Sequence, residues 1–298
     1  MTNAETVTAT STATERIGVV GCGLMGSGIA EVCARAGRDV VVVEADGAAA
    51  DAGRERITRS LARAVAAGKL TDAEAKAAAD RITVTGDLSL LADRDLVVEA
   101  VAEDERAKLE VFARLDEVVA RPDAVLATNT SAIPVIRLAA ATRRPAQVVG
   151  LHFFNPVPVL PLVELVPSLL TSEETARRAR AFAADALGKE VVRAQDRAGF
   201  VVNALLVPYL LAAVRMAEAG AASAEDIDRG MTLGCAHPMG PLALADLIGL
   251  DTVRSIAQSM YAEYREPLYA PPPLLSRMVD AGLLGRKTGR GFHVYGGS

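Results

Sequence analysis

The sequence predicts an α/β chain: a doubly wound, mostly parallel sheet carrying a helical-hairpin insertion, followed by a smaller all-helical domain. Three observations predict it. Short β-branched runs alternate with helical stretches up to about residue 193, as in a parallel sheet covered on both faces. A glycine-rich turn follows the first run and opens a helix. From Phe200 onward the segments are long, take helical spacing and are separated by Gly or Pro. The 298 residues suffice for two ordinary domains, drawn at 16–194 and 195–298. The Thr/Ala-rich stretch 1–15 is expected to be a disordered tail.

The patterned chain begins at Arg16. Residues 17–20 form an apolar run, and Gly21 to Gly26 a turn. Ile29, Ala30, Val32 and Cys33 then follow a helical period, with Gly37 as its stop. Residues 40–43 are a β-branched run ending in Glu44. Residues 48–80 read as helices broken at Gly68, with a cap at Thr71 or Asp72. Strands are expected at 82–85, 96–101, 124–128 and 148–151, with a helix at 105–120, and further strands at 162–166 and 190–193. The most apolar window, 200–214, contains Asn203 and Pro208 and is 15 residues long. A bilayer needs about 20, so a buried helix is expected there. The three consecutive prolines 271–273 cannot lie inside a helix.

Hydrophobic residues make up 51% and charged residues 23%, which excludes general disorder. With no Trp and 4% aromatics, the core must be aliphatic. A net charge of -5 argues against a broad nucleic-acid surface. Three cysteines without CxxC spacing argue against a disulfide framework or a zinc site and suit a reducing, cytoplasmic compartment. Residues 1–15 lack the apolar core of a secretory signal.

Gly21-Cys22-Gly23-Leu24-Met25-Gly26 matches G-x-G-x-x-G between a strand and a helix, the fingerprint of a Rossmann-type dinucleotide site. Gly21 permits the tight turn, Gly23 lets the backbone approach a pyrophosphate, and Gly26 lets the helix sit close to the strand. The helix N-terminus offers N–H groups to the phosphates. Glu44, 18 residues after Gly26, can accept from both adenosine ribose hydroxyls. Its carboxylate would repel a 2′-phosphate, so NAD is favoured over NADP. Gly47 and Ala48 supply no cation, although Arg54 is not far away, and FAD remains a rival for the same fingerprint.

Alcohol dehydrogenation needs a base for the hydroxyl proton, and imidazole titrates near neutral pH. His152 follows the expected strand 148–151, at the sheet edge where ligands bind. Glu164 lies 12 residues on, past the turn-rich Asn155-Pro156-Val157-Pro158. A return strand would bring its carboxylate beside the ring, to orient it and stabilise the imidazolium. His237, in a Pro/Gly turn, and His293, near the C-terminus, read as structural. Asn203, an amide in an apolar run, must find a partner or cost about 1–3 kcal/mol, which favours a cleft-facing role. Arg54, Arg56, Arg59, Arg63 and Lys69 make the hairpin basic, and Arg56, Arg59 and Arg63 have the helical spacing of one stripe.

The chain resembles the L-3-hydroxyacyl-CoA dehydrogenase family over about residues 16–295, and within it the bacterial single-function 3-hydroxybutyryl-CoA dehydrogenases. Six segments carry the resemblance: the glycine turn through Ala30, Asn129-Thr130-Ser131, residues 151–158, Gly199 to Asn203, Pro238 to Pro241, and Lys287 to Phe292. The resemblance implies His152 as general base, Glu164 as its partner, Ser131 on the substrate's 3-oxygen and beside the nicotinamide, and Asn203 holding substrate. It implies NAD contacts by Glu44, Glu103, Lys108, Asn155 and Lys287. CoA is implied on the hairpin, with Ser60, Arg63 and Lys69 as candidates. Ala67 stands at the family's usual lysine position, and Ala132 where many relatives carry a second Ser.

The activity implied is reversible, NAD-dependent oxidation of a short (S)-3-hydroxyacyl-CoA to the 3-ketoacyl-CoA, as in fatty acid metabolism, with substrate entering a cleft between domains. The same hydride chemistry on an acyl-carrier-protein thioester or a sugar acid is an alternative, as is a catalytically inactive nucleotide-binding protein. A homodimer through the apolar helical domain is expected, with no metal, no nucleic-acid partner and no membrane.

Overall fold

The structure is a computed structural model that describes residues 15–296; residues 1–14, most of the expected tail, lie outside the described residues. It divides into two compact units, residues 15–129 with 135–193, and residues 130–134 with 194–296.

The first unit starts with strand β1 (Arg16–Val20), helix α1 (Leu24–Arg35) and strand β2 (Asp39–Val43). Both strands bury every residue after the first, which is why they read as continuous apolar runs rather than alternating ones. The hairpin follows as α2 (Gly47–Ala66) and α3 (Asp72–Asp80). Gly68, at φ 66°, makes the break. Thr71 caps α3 in a capping box with Glu74, so of the two caps considered it is Thr71 that serves.

Then come β3 (Ile82–Thr85), β4 (Leu96–Glu99), α4 (Glu105–Val118), β5 (Val125–Thr128), α5 (Val135–Ala140), β6 (Val148–Phe153), β7 (Leu162–Val166), α6 (Glu173–Ala181) and β8 (Glu190–Arg193). The eight strands form one sheet in the order β3-β2-β1-β4-β5-β6-β7-β8. All neighbours are parallel except β6 and β7. The order reverses direction at β1, which pairs with β2 on one side and β4 on the other. That is the switch point where such sheets bind ligands, outside the strands' carboxyl ends. The core is aliphatic, built from residues such as Ile17, Val19, Ile29, Val42, Val98 and Leu151.

The second unit packs α7 (Val202–Glu218), α8 (Ala224–Gly234), α9 (Pro241–Ile248), α10 (Leu250–Tyr264) and α11 (Pro273–Asp280) around Leu210, Leu211, Leu242, Val253 and Met260. Pro273 is the first residue of α11, where its missing N–H costs nothing. Asp246, 1% exposed, holds the C-terminal segment by accepting from the N–H groups of Phe292 and His293 and from the Tyr295 hydroxyl. Among the described residues no helix is long and apolar enough to cross a membrane.

Four of the differences from expectation bear on the site. β6 runs on to Phe153, so His152 lies inside the strand rather than after it. β4 stops at Glu99, because the side chain of Glu99 captures the N–H of Val101 and turns the chain. α7 starts at Val202, since Gly199 (φ 86°) and Phe200 (φ 48°) take left-handed backbone that no helix accepts. Asn203 therefore sits in the first turn of α7. Residues 130–134 group with the helical unit, which a boundary drawn only at 194 did not foresee.

Candidate active site

Val20, Val43 and Ala100 bring the ends of β1, β2 and the chain after β4 around a cavity of about 390 Å³ that also touches Gly21, Gly23 and Glu44. The glycines are required by space. Gly21 has φ 91°, and a Cβ there would stand 2.8 Å from the Ala100 carbonyl oxygen. A Cβ on Gly26 would fall 1.8 Å from the Gly21 carbonyl oxygen. At Gly23 nothing lies within 4 Å of the position a Cβ would take, so the backbone is open to a close-lying group. Gly23 is also the N-cap of α1 and provides no side-chain cap. The first N–H groups of α1 thus lack side-chain competition for a phosphate. Leu24 is exposed and Met25 packs against the core, so of these two it is Leu24 that faces outward.

Glu44 lines the cavity and braces the turn: its two oxygens accept from the N–H groups of Cys22 and Ala45. Arg54, the cation that could have served a 2′-phosphate, is turned to Asp51 and to the Val84 carbonyl at 2.5 Å. This donor set fits NAD. Cys22 is buried against Gly53, and burial, reinforced by Glu44, pushes its thiol up to about 11. The residue fills space between turn and hairpin rather than offering a nucleophile. Arg56 adds a second tie by donating to the Cys22 carbonyl at 2.9 Å.

On the same sheet edge, β6 and β7 pair His152 directly with Glu164. His152 Nδ1 and Glu164 Oε2 are 2.7 Å apart, His152 is 4% exposed and Glu164 is fully buried. The hairpin expected from the turn-rich 155–158 stretch thus forms, and register does the rest. Phe154 meets the imidazole edge-on at 4.7 Å. After it comes Asn155, exposed, in a loop whose Val157 and Leu160 carbonyls both accept from Lys189 Nζ at 2.7 Å. Burial, with Arg35 nearby, pushes the Lys189 ammonium pKa down.

Lys108 and Glu103 sit where β4 feeds α4. Lys108 is 1% exposed and its Nζ lies 2.7 Å from Glu99 and 3.4 Å from Glu103. Glu99 also accepts from the Thr128 hydroxyl at 2.8 Å. Sequence reasoning missed Glu99. The available signal was an acid closing an apolar strand run, as Glu44 closes β2.

Ser60 and Arg63 line a second cavity, of about 200 Å³, with Arg56, Arg59, Ser27, Gly28 and the loop 155–158. Lys69 is exposed beyond the end of α2 and is not among the lining residues. Ser131 lies in the 130–134 segment, in a turn that Thr130 Oγ1 closes by accepting from Ile133 N at 2.9 Å. Asn203 is 8% exposed. Lys287 Nζ is paired within its own unit with both oxygens of Asp251, at 2.6 and 2.7 Å. His237 meets the Tyr209 hydroxyl at 3.1 Å, and His293 meets Asp228 at 2.7 Å, where Asp228 caps α9. Both thus have structural partners.

A glycine cradle beside the Glu44 carboxylate, on one sheet edge with a buried imidazole–carboxylate pair, is the arrangement of a nicotinamide-dependent dehydrogenase. Residues 16–197 match the NAD binding domain of 3-hydroxyacyl-CoA dehydrogenase, and residues 199–295 match its C-terminal domain. The chain belongs to the 3-hydroxyacyl-CoA dehydrogenase family, and NAD is its cofactor. A 3-hydroxybutyryl-CoA dehydrogenase of Mycobacterium tuberculosis is 61% identical over 285 residues, 96% of this chain and 100% of the relative. The human mitochondrial hydroxyacyl-coenzyme A dehydrogenase is 41% identical, over 94% of this chain and 91% of its own. The crystal structure of M. tuberculosis FadB2 superimposes with a TM-score of 0.94 at 61% identity, over 95% of this chain and 100% of that one. That of the (S)-3-hydroxybutyryl-CoA dehydrogenase from Ralstonia eutropha gives 0.89 at 42%, over 96% and 100%.

Proposed function

We propose that the chain catalyses the reversible oxidation of a short (S)-3-hydroxyacyl-CoA, 3-hydroxybutyryl-CoA above all, to the 3-ketoacyl-CoA. The observation that carries the reading is the His152–Glu164 pair, 2.7 Å apart and buried. NAD, when bound, supplies the hydride acceptor. His152 takes the 3-hydroxyl proton on Nε2 during oxidation and returns it during reduction. Glu164 holds the ring through Nδ1 and stabilises the imidazolium. Ser131 bonds the substrate's 3-oxygen and borders the nicotinamide, Asn203 helps hold the substrate, and Glu103, Lys108, Asn155 and Lys287 serve the cofactor. Arg56, Arg59, Arg63 and Ser60 face CoA phosphates from the hairpin, in the small polar cavity they line.

The relatives named for 3-hydroxybutyryl-CoA support the acyl chain, and a role in fatty acid metabolism in the cytoplasm accords with it. A homodimer forms through the helical unit; Leu205 and Met216 on α7, 76% and 49% exposed, support that surface. Light scattering that finds a monomer at micromolar concentration would remove the dimer. The activity is tested by following NADH absorbance with acetoacetyl-CoA beside a short thioester lacking the nucleotide. NADH consumption with the CoA ester at a much lower KM is expected. No consumption with either would overturn the reading, and equal KM values would overturn CoA as the carrier.

A further inference from the structure

We propose that Asn129 is a positioning residue that sets the place of the His152 ring through the backbone. This rests on the reading of His152 as the base. Strand β6 is gripped unequally on its two sides. Toward β7, pairing continues through His152↔Glu164 to Phe153↔Val163. Toward β5, the last backbone pair is Thr128↔Gly150, so the strand's final three residues, His152 among them, outrun that ladder.

Asn129, 8% exposed, supplies the missing acceptor: its Oδ1 takes the Phe153 N–H at 2.8 Å. A side chain here does the work of a strand carbonyl, on the residue immediately after His152. Asn129 is itself immobilised. Its N–H donates to the Glu99 carbonyl at 2.9 Å, and the preceding Thr128 donates its hydroxyl to Glu99 Oε2 at 2.8 Å. Glu99 Oε1 in turn takes Lys108 Nζ and the Val101 N–H, each at 2.7 Å. One hydrogen-bonded row thus runs along the carboxyl edge of the sheet, from Lys108 to the backbone of the catalytic strand, with Asn129 as its joint.

Proton transfer demands heavy atoms about 2.6–3.2 Å apart. A misplacement of about 1 Å can cost roughly 100-fold in rate, so a strand end released on one side should lose part of that.

The test compares wild type, Asn129→Ala, His152→Ala and the double variant. Reduction of acetoacetyl-CoA is followed with NADH and with NADH deuterated at the transferred position. Asn129→Ala should lower kcat about 10-fold and raise the deuterium isotope effect, with NADH affinity by fluorescence within about twofold. The double variant should be no slower than His152→Ala alone, because groups acting as a unit are not additive. A kcat for Asn129→Ala within about twofold of wild type overturns the proposal, as does a further loss in the double variant. Full activity of His152→Ala would instead remove the reading beneath it. Should the alanine variant unfold, Asn129→Leu, which keeps the side-chain volume and removes the acceptor oxygen, is read against the same outcomes.

Discussion

Replacing Glu164 with Gln tests the central pair with little change of shape. Glu164 is fully buried and touches His152 Nδ1 at 2.7 Å, so water screens the interaction little. Hydrogen bonds to charged groups contribute about 1.5–3 kcal/mol against about 0.5–1.5 for neutral ones. Gln keeps the acceptor and loses the charge, a difference of about 1–1.5 kcal/mol. At about 1.36 kcal/mol per factor of ten, kcat falls about 5- to 13-fold. That figure assumes the amide oxygen faces Nδ1. If the amide nitrogen faces it instead, Nδ1 must accept and Nε2 carries the proton, the wrong tautomer for a base. The comparable exchange in a Ser-His-Asp triad costs about 10⁴-fold. Oxidation of 3-hydroxybutyryl-CoA, read as NADH formation, should therefore fall at least about 5-fold. NAD affinity should stay unchanged, since Glu164 is not among the residues lining the cofactor cavity. Wild-type kcat in both directions would refute the reasoning.

Four further outcomes are expected. His152→Gln should cost roughly 10²–10⁴-fold in kcat, the usual span of general acid–base catalysis, with NAD binding by fluorescence little altered. Gly26→Ala places a methyl 1.8 Å from the Gly21 carbonyl oxygen; calorimetry should show weakened NAD binding and urea unfolding a loss of about 1–3 kcal/mol. In native protein at pH 8, iodoacetamide should label Cys235, which is exposed, and spare Cys22 and Cys33, whose thiols burial raises to about 11 and about 12; mass spectrometry after denaturation should find all three labelled. Asp116 is destabilised as an anion by burial, but hydrogen bonds from Arg143 and Arg144 outweigh this and hold its carboxyl below the usual range. A lowered folded pKa means the stabilisation is present above the unfolded value and lost as pH falls through the folded one. Asp116→Asn should lower Tm at pH 7, and the gap from wild type should close in strongly acid solution.

Much of the fold was legible because its signals are local. β1, β2, β3, β7 and β8 announce themselves as short β-branched runs, and the hairpin by the break at Gly68 and a cap at Thr71 or Asp72. The cofactor turn was legible for the same reason: Gly21, Gly23, Gly26 and Glu44 answer to steric and electrostatic needs met within one βαβ unit. The His152–Glu164 pair was legible as a possibility, from spacing and a turn. Ser131, Lys108, Asn155 and Lys287 were not; on spacing alone they are an ordinary serine, two ordinary lysines and a loop amide, and only likeness to a family singled them out.

Register and capture of polar groups belong to the tertiary structure. Whether Glu164 faces His152 or the opposite side of the sheet turns on a single residue of strand offset, and packing of both faces decides it. The diversion of Arg54 to the Val84 carbonyl and the tie from Asn129 to Phe153 are likewise long-range. A sequence specifies which donors and acceptors exist and where backbone must bend. Which of them meet depends on strands brought together from distant parts of the chain, because a buried polar group takes whichever partner the packed sheet edge leaves within reach.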